Sequence, residues 1–151
     1  MPKQVYFKQN DGQLPANPPA YLGTLAKSCW RKVVPYLEST SRVERIDTAL
    51  VEQYCTEYEL YRVAYEDVGK NGIQSKLFKS VQNSAGEVIG KDFTGFRRNP
   101  AVSTMNDALK QLKAIGSQLG LSPKARQELM QIASRKKEKS VAEQLKEAGV
   151  V

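Results

Sequence analysis

Two long stretches of the chain place apolar residues at steps of three or four positions, and this spacing constrains the fold more than any other feature. The first stretch, residues 44–69, carries a stripe made of Ile46, Leu50, Tyr54, Tyr58, Tyr61, Tyr65 and Val68. The second, residues 100–119, carries a stripe made of Val102, Met105, Leu109, Leu112, Ile115 and Leu119. An α-helix brings such positions onto one face, so each stretch is predicted to form a long amphipathic helix. We expect a mainly α protein, a helical bundle centred on a long antiparallel helical hairpin.

Shorter helices are predicted on either side of this pair. Residues 24–38 have a helical stripe, which Pro35 is expected to bend or to end early. Asn99-Pro100 and Ser122-Pro123 each supply a capping side chain followed by proline in the first turn. The second of these signals predicts a helix running to about Lys137. A capping box formed by Ser140 and Glu143 predicts a separate short helix after it.

Two regions lack the helical period. Residues 1–20 contain four prolines and are expected to form a flexible or draped arm. Residues 73–98 contain short β-favouring pieces at 77–81 and 87–89, which predict a small β-hairpin or a mobile loop. The expected organisation is an arm over 1–20, a helical core with the oligomerisation hairpin over 21–120, and a basic helical C-terminal segment over 121–151.

Composition argues against catalysis. The 151 residues suit one domain, and they include no histidine, which removes the commonest general base. There is no glycine-rich phosphate loop. Glu52, Glu59 and Glu66 are spaced by seven and could share a metal, but a solvated helix face is the better interpretation. We therefore expect no enzymatic activity, no metal and no cofactor.

The expected compartment is the cytoplasm. No apolar run reaches the roughly 18 residues of a membrane helix, and the first residues do not resemble a secretory signal. Cys29 and Cys55 lie among apolar helical positions and are expected to be buried thiols.

Charge is distributed unevenly along the chain. The formal net charge is +7, yet residues 44–69 carry two basic and seven acidic side chains within an otherwise basic chain. This pattern suits a polyanion on some surfaces and a basic or self-complementary partner on another. The candidate DNA-binding residues are Lys27, Arg31, Lys32, Arg97, Arg98, Lys124, Arg126, Arg135, Lys136, Lys137 and Lys139.

Each basic cluster also has an ordinary interpretation as solvated charged surface, which fits any single cluster equally well. Lys27 and Arg31, one turn apart on a helix followed by a turn and another helix, are compatible with a helix-turn-helix. The predicted turn is longer than usual for that motif. A DNA contact of either kind predicts affinity that falls steeply with salt.

The four tyrosines of residues 44–69 step by 4, 3 and 4, so one side of one helix carries all four rings. Packing against the 100–119 helix is the favoured explanation, and a protein interface is the alternative. Base stacking by these rings is disfavoured because the helix is acidic. The two long helices nevertheless offer more apolar surface than one copy covers. Oligomerisation is therefore expected, through an interface comprising Tyr54, Tyr58, Tyr61, Tyr65, Leu109 and Leu112.

An ordered set of residues over about 18–130 resembles one family of phage terminase small subunits. The set comprises Trp30, Leu37, Asp47, Tyr54-Cys55, Tyr58, Tyr61, Asn99-Pro100, Leu109, Leu112, Leu119 and the run from Gly120 through Pro123 to Arg126. Its most distinctive part is the pairing of Asn-Pro with Gly-Leu-Ser-Pro-x-x-Arg, separated by one helix. The 73–98 insert and the helical C-terminal extension go beyond a minimal family member.

The resemblance implies a non-catalytic subunit of a DNA-packaging motor in the cytoplasm of the bacterial host. Such a subunit forms a homo-oligomeric ring, recognises the packaging site on double-stranded viral DNA, and regulates the large terminase subunit, which carries the ATPase and nuclease. Two alternatives remain open. One is a dimeric helix-turn-helix regulator, and the other is a structural head-tail connector that needs no affinity for DNA.

Overall fold

The computed structural model describes residues 3–149, apart from the side chains of Ala133, Glu138, Lys139 and Ser140. The predicted contact of Lys139 therefore lies outside the described residues. The described elements are α1 (Thr24–Thr40), α2 (Thr48–Asn71), β1 (Gln74–Gln82), β2 (Val88–Arg98), α3 (Pro100–Gln118) and α4 (Pro123–Glu147). The expectation of a mainly α chain with a small β insert is confirmed.

Helix α1 passes through Pro35 and continues to Thr40, so the expectation that proline ends it early is wrong. Pro35 cannot donate a backbone hydrogen bond, but its ring lies on the exposed side of the helix. Leu37, two residues later, is fully buried and holds the last turn against the core. Ser41 then ends the helix in the left-handed conformation, with φ 54°.

Helix α2 is entered through a 3-10 turn, Arg45–Asp47, in which Glu44 and Asp47 form a reciprocal capping box. Either Gly69 or the Asn71-Gly72 pair is expected from the sequence to end this helix, and the structure shows the second: Gly72, at φ 77°, follows the last helical residue. Among the helices, α2 makes its most extensive contacts with α3. Asn99, at the start of α3, donates a 2.9 Å hydrogen bond to Asp67 near the end of α2.

The buried core lies where α1, the first half of α2 and the end of α3 meet. Its fully buried large side chains are Trp30, Leu37, Val51 and Cys55. Cys29 and Cys55 are buried free thiols, as predicted. The neighbouring Cys55 thiol lowers the pKa of the Cys29 thiol, and its interaction with Cys29 together with burial raises the pKa of the Cys55 thiol.

The segment before α1 lies against the core and closes it. Leu14 is buried, and its backbone N–H donates to the Glu38 carboxylate over 2.8 Å. The Trp30 indole N–H donates to the Pro15 carbonyl over 3.1 Å. Arg45 also holds this N-terminal segment, since its guanidinium lies 4.8 Å from the centre of the Tyr6 ring.

The end of α3 is a Schellman motif built on two glycines. Gly120, at φ 74°, donates its N–H to the Ser117 carbonyl, and Leu121 donates to the Gly116 carbonyl over 2.8 Å. A Cβ at Gly120 would lie only 3.0 Å from Leu129 of α4. The absence of a side chain at Gly120 therefore leaves room for α4 to lie close to the end of α3. A Cβ at Gly116 would meet Tyr54 of α2 at 3.4 Å, a tolerable contact.

Residues 74–98 form an antiparallel hairpin, which confirms the first of the two alternatives for this insert. The strands are longer than the predicted pieces because they continue down to the helices that flank them. The turn is closed by Asn83, whose side-chain oxygen accepts the N–H groups of Ala85 and Glu87. No residue of the hairpin is buried.

The last part of the described chain is one helix, not two. Ser122 caps α4 by accepting the N–H of Ala125, as predicted, but the helix continues through Lys137 to Glu147. The expected break before Ser140 is wrong, because residues 124–147 contain no glycine or proline and consist mainly of good helix formers. Ala125 is the one buried residue among the described side chains of α4.

Candidate nucleic-acid and subunit interfaces

The basic residues of α1 form a short stripe away from the core. Arg31 and Lys32 are exposed and Lys27 is half-buried, while Cys29 and Trp30 lie on the buried side. Among the described residues, no carboxylate lies within ion-pair distance of these three cations. Unpaired cations along one helix are available to phosphates without first breaking an internal ion pair.

Arg97 and Arg98 lie where the β-hairpin joins the helices. They line an open cavity of about 540 Å³ together with Asp67 and Asn71 at the end of α2. Asn99 also lines this cavity, and its side-chain amide donates to both the Asp67 carboxylate and the Gly72 carbonyl over 2.9 Å. The Asp67 carboxylate offsets part of the arginine charge, so this cluster is less free for an anion than the stripe on α1.

The candidates on α4 fall into two groups. Near its start, Lys124 lies 3.8 Å from Glu128 and Arg126 is half-buried. Farther along, Arg135, Lys136 and Lys137 are all exposed. The candidate cations thus lie on three separate elements. Only candidates that belong to the same element lie close together, as do Arg97 and Arg98, which line the cavity where the hairpin joins the helices.

The acidic residues of α2 that are spaced by seven lie in three different surroundings. Glu52 accepts a 2.5 Å hydrogen bond from the Tyr21 hydroxyl, which raises the pKa of Tyr21. Glu59 lies over Gly23 at the first turn of α1. Glu66 pairs with Lys70 at 2.9 Å, which lowers the pKa of the carboxyl and raises that of the ammonium. Among the side chains that the structure describes, no group of three potential metal ligands comes together.

The four tyrosines of α2 divide between core and surface. Tyr54 and Tyr58 pack against the buried cluster, where burial raises the pKa of Tyr54. Tyr61 is half-buried and Tyr65 is exposed, and successive rings from Tyr58 onward make edge contacts at 6.3 and 6.1 Å. The packing explanation therefore accounts for the first two rings but leaves Tyr65 uncovered.

The second half of α2 also exposes apolar residues on its other side. Val63 is two positions from both Tyr61 and Tyr65, which is about 200° around a helix. Val63 and the neighbouring Leu60 are both exposed. On α3, Leu109 is exposed and Leu112 is half-buried. This part of the α2–α3 pair therefore has uncovered apolar side chains on two opposite sides.

Sequence reasoning missed a cluster of phenylalanines on the β-hairpin. Phe78, Phe93 and Phe96 are 55%, 53% and 55% exposed, with ring centres 6.0 Å apart for Phe78 and Phe93 and 5.2 Å apart for Phe93 and Phe96. The signal was hidden because Phe93 and Phe96 are three residues apart, whereas one face of a regular strand repeats every two. Only the strand register shows that they share a face.

Comparison with known proteins gives one family match. Residues 26–136, most of the chain, match the family model described as phage terminase, small subunit. No curated protein and no solved structure matches the chain. Within the described residues, no helix has both the length and the apolar character needed to cross a membrane.

Proposed function

Because the chain belongs to the phage terminase small-subunit family, we propose that it binds double-stranded viral DNA at the packaging site, assembles into a ring and regulates the large terminase subunit. Family membership supports a role in DNA packaging, and the family is generally non-enzymatic. The work would take place in the cytoplasm of the bacterial host. The observation that carries the proposal is the family match, which spans both long helices and the start of α4.

In the proposed assembly, α2 and α3 act as a long antiparallel hairpin that contacts a neighbouring subunit on each side. The uncovered Tyr65 and the uncovered Val63 support this arrangement, because they lie on opposite sides of α2. A twofold dimer uses one self-complementary patch, whereas a ring requires two different patches on every subunit. Two opposite apolar sides therefore favour a ring over the dimer of a helix-turn-helix regulator.

The proposed duplex-binding surface is centred on α1. Arg31 and Lys32 are exposed and have no carboxylate partner among the described residues. In a ring each subunit contributes its own pair, so several weak phosphate contacts add up on one duplex. The exposed cations of α4, Arg135 to Lys137, would add contacts of the same sequence-independent kind.

The large subunit is proposed to dock on a terminal segment. The second half of α4 supports this placement, since Val141 and Leu145 are exposed on one side of a helix that has little contact with the rest of the chain. Removing this half should abolish capture of the large subunit and leave duplex binding at least partly intact. Retained capture would move the docking site elsewhere.

The duplex proposal is tested with the double variant Arg31→Gln and Lys32→Gln. Loss of two phosphate contacts per bound subunit should lower affinity by about tenfold or more and reduce the salt slope by about two for each subunit in contact. Fluorescence anisotropy on a labelled duplex, repeated at several salt concentrations, measures both quantities. The matched control is Lys110→Gln with Lys113→Gln, which removes two exposed cations from α3.

Assembly is tested by native mass spectrometry of the full chain. A closed ring should give one oligomer larger than a dimer, and Val63→Asp or Tyr65→Asp should each reduce it to smaller species. A wild-type dimer with a palindromic site preference would favour the regulator instead. An oligomer without affinity for duplex DNA at low salt would favour the head-tail connector.

A further inference from the structure

The β-hairpin carries its three phenylalanines on one face because its second strand is irregular. Phe78 pairs with Phe93, and Lys76 pairs with Phe96, so that Thr94 is an extra residue in β2. This bulge places residues that are three apart on the same side of the sheet, as the edge contacts among the rings require. Gly95 takes up the distortion at φ 135°.

The same face carries cations and no carboxylate. Lys76 is the cross-strand partner of Phe96, Lys91 that of Ser80 and Arg98 that of Gln74, so all three share the side of the phenylalanines. The one acidic residue of the strands, Asp92, pairs with Lys79 on the opposite side. We define the aromatic-basic face as Lys76, Phe78, Lys91, Phe93, Phe96 and Arg98.

We propose that the aromatic-basic face binds unpaired bases of DNA, with the phenylalanine rings stacking on bases and the cations holding the adjoining phosphates. Exposed rings next to cations provide both contacts that single-stranded nucleic acid makes with proteins. The bases of an intact duplex are stacked on one another and do not offer their flat sides. The face therefore selects single strands or locally opened duplex, not the regular duplex assigned to α1.

A second copy of the chain is the competing occupant, because its α2 helix is acidic. The charge complementarity between the aromatic-basic face and α2 of a second copy is limited, since several carboxylates of α2 already have partners within their own subunit. Glu52 accepts from Tyr21, Glu66 pairs with Lys70, and Asp67 accepts from Asn99. A polyanion meets Lys76 and Lys91 without displacing an internal partner. Arg98 lines the same cavity as Asp67 but forms no ion pair with it, so no ion pair has to break there either.

This inference deepens the proposed function and rests on it, since it concerns how the same subunit handles DNA. Its test is the double variant Phe93→Ala and Phe96→Ala in the full chain, with a labelled 20-nucleotide oligothymidylate and a duplex of equal length as probes. Loss of stacking should weaken oligothymidylate binding by about 10- to 100-fold and change duplex affinity by less than about threefold. Leu77→Ala, on the opposite face, is the control and should change neither.

A second variant keeps the test informative if the alanine hairpin loses its fold. Phe96→Trp preserves an aromatic ring, so it should retain oligothymidylate affinity, and its exposed indole should be quenched as bases stack on it. Trp30 is fully buried and should not respond.

Three results would overturn the inference. They are undiminished oligothymidylate binding by the alanine variant, an equal loss for both probes, and unquenched indole fluorescence from the Phe96→Trp variant at saturating DNA. A fall in oligomer mass caused by the alanine variant would identify the face as a subunit interface instead. Loss of duplex binding in the Arg31 and Lys32 variant alone bears only on the proposed function.

Discussion

The two halves of helix α2 lie in different surroundings. The first half buries Val51 and Cys55 against α1 and the end of α3, while the second half exposes Leu60, Val63 and Tyr65. The contrast extends to the whole molecule. The base, made of residues 3–20, α1, the first half of α2 and the second half of α3, contains most of the buried side chains. The outlying part, made of the second half of α2, the β-hairpin and α4, contains few.

This difference separates stability from partner binding. Burial of apolar surface is the main source of stability, so the base should determine whether the chain folds. The outlying part instead keeps its apolar and basic side chains available for other molecules. Substitutions of buried side chains in the base should change unfolding. Substitutions in the outlying part, like those of the exposed Arg31 and Lys32 on α1, should change assembly or DNA affinity.

The largest expected effect is at Trp30. Trp30→Ala empties a fully buried site and removes the hydrogen bond to the Pro15 carbonyl, so the free energy of unfolding should fall by about 3–5 kcal/mol. Denaturant titration followed by circular dichroism measures the loss. The control from the outlying part is Phe78→Ala, for which we expect a change below about 1 kcal/mol. Equal losses in the two variants would end the distinction between base and outlying part.

A smaller effect is expected at the boundary between the two parts, where α3 meets α4. Gly120→Ala forces a side chain into the left-handed region and towards Leu129, which should cost about 1–2 kcal/mol of unfolding free energy. Gly116→Ala lies four residues earlier in regular helix, where alanine gains about 1 kcal/mol of helix propensity and meets Tyr54 at a tolerable 3.4 Å. The melting temperatures of the two variants should therefore shift in opposite directions, or by clearly different amounts. Coincident curves would mean that the end of α3 is not held in the Schellman motif.

The smallest effect is expected from shortening α4. Removing residues 131–151 takes away no side chain that is buried among those described, so the unfolding free energy should change by less than about 0.5 kcal/mol. Removing residues 1–20, a segment of similar length, deletes buried Leu14 and the partner of Trp30 and should be strongly destabilising. Thermal denaturation of the two shortened chains gives the comparison directly. A marked loss from shortening α4 would place it in the base.

Much of the fold could be predicted because the relevant signals are local. Helical spacing located α1, α2 and α3, and the Asn99 and Ser122 caps fixed two helix starts to the residue. The errors had two different causes. The buried Leu37 carries α1 past Pro35, and an uninterrupted run of helix formers carries α4 past the capping signal at Ser140.

The candidate surfaces were harder to predict because the exposure and the neighbours of their residues depend on the folded chain. The basic clusters could be listed from the sequence, but acidic neighbours that are distant along the chain, such as Asp67 beside Arg97 and Arg98, depend on the folded chain. The exposure of Tyr65 as against Tyr58 depends on where α3 and the core lie. The roles in DNA binding and assembly that the sequence assigned to these residues stay predictions.

Because of the single-residue bulge at Thr94, the side of the sheet on which Phe96 lies depends on the spacing and regularity of β2 as well as on residue identity. Extra residues at the exposed 83–87 turn would leave the pairing below it in phase. Loss of the extra residue at 94 would restore regular alternation, with Phe96 two positions after Phe93 and still opposite Lys76. A regular strand that kept the three-residue interval would instead turn Phe96 to the other side. Among homologues, phenylalanines two apart in a regular strand and phenylalanines three apart across a bulge would thus build the same surface.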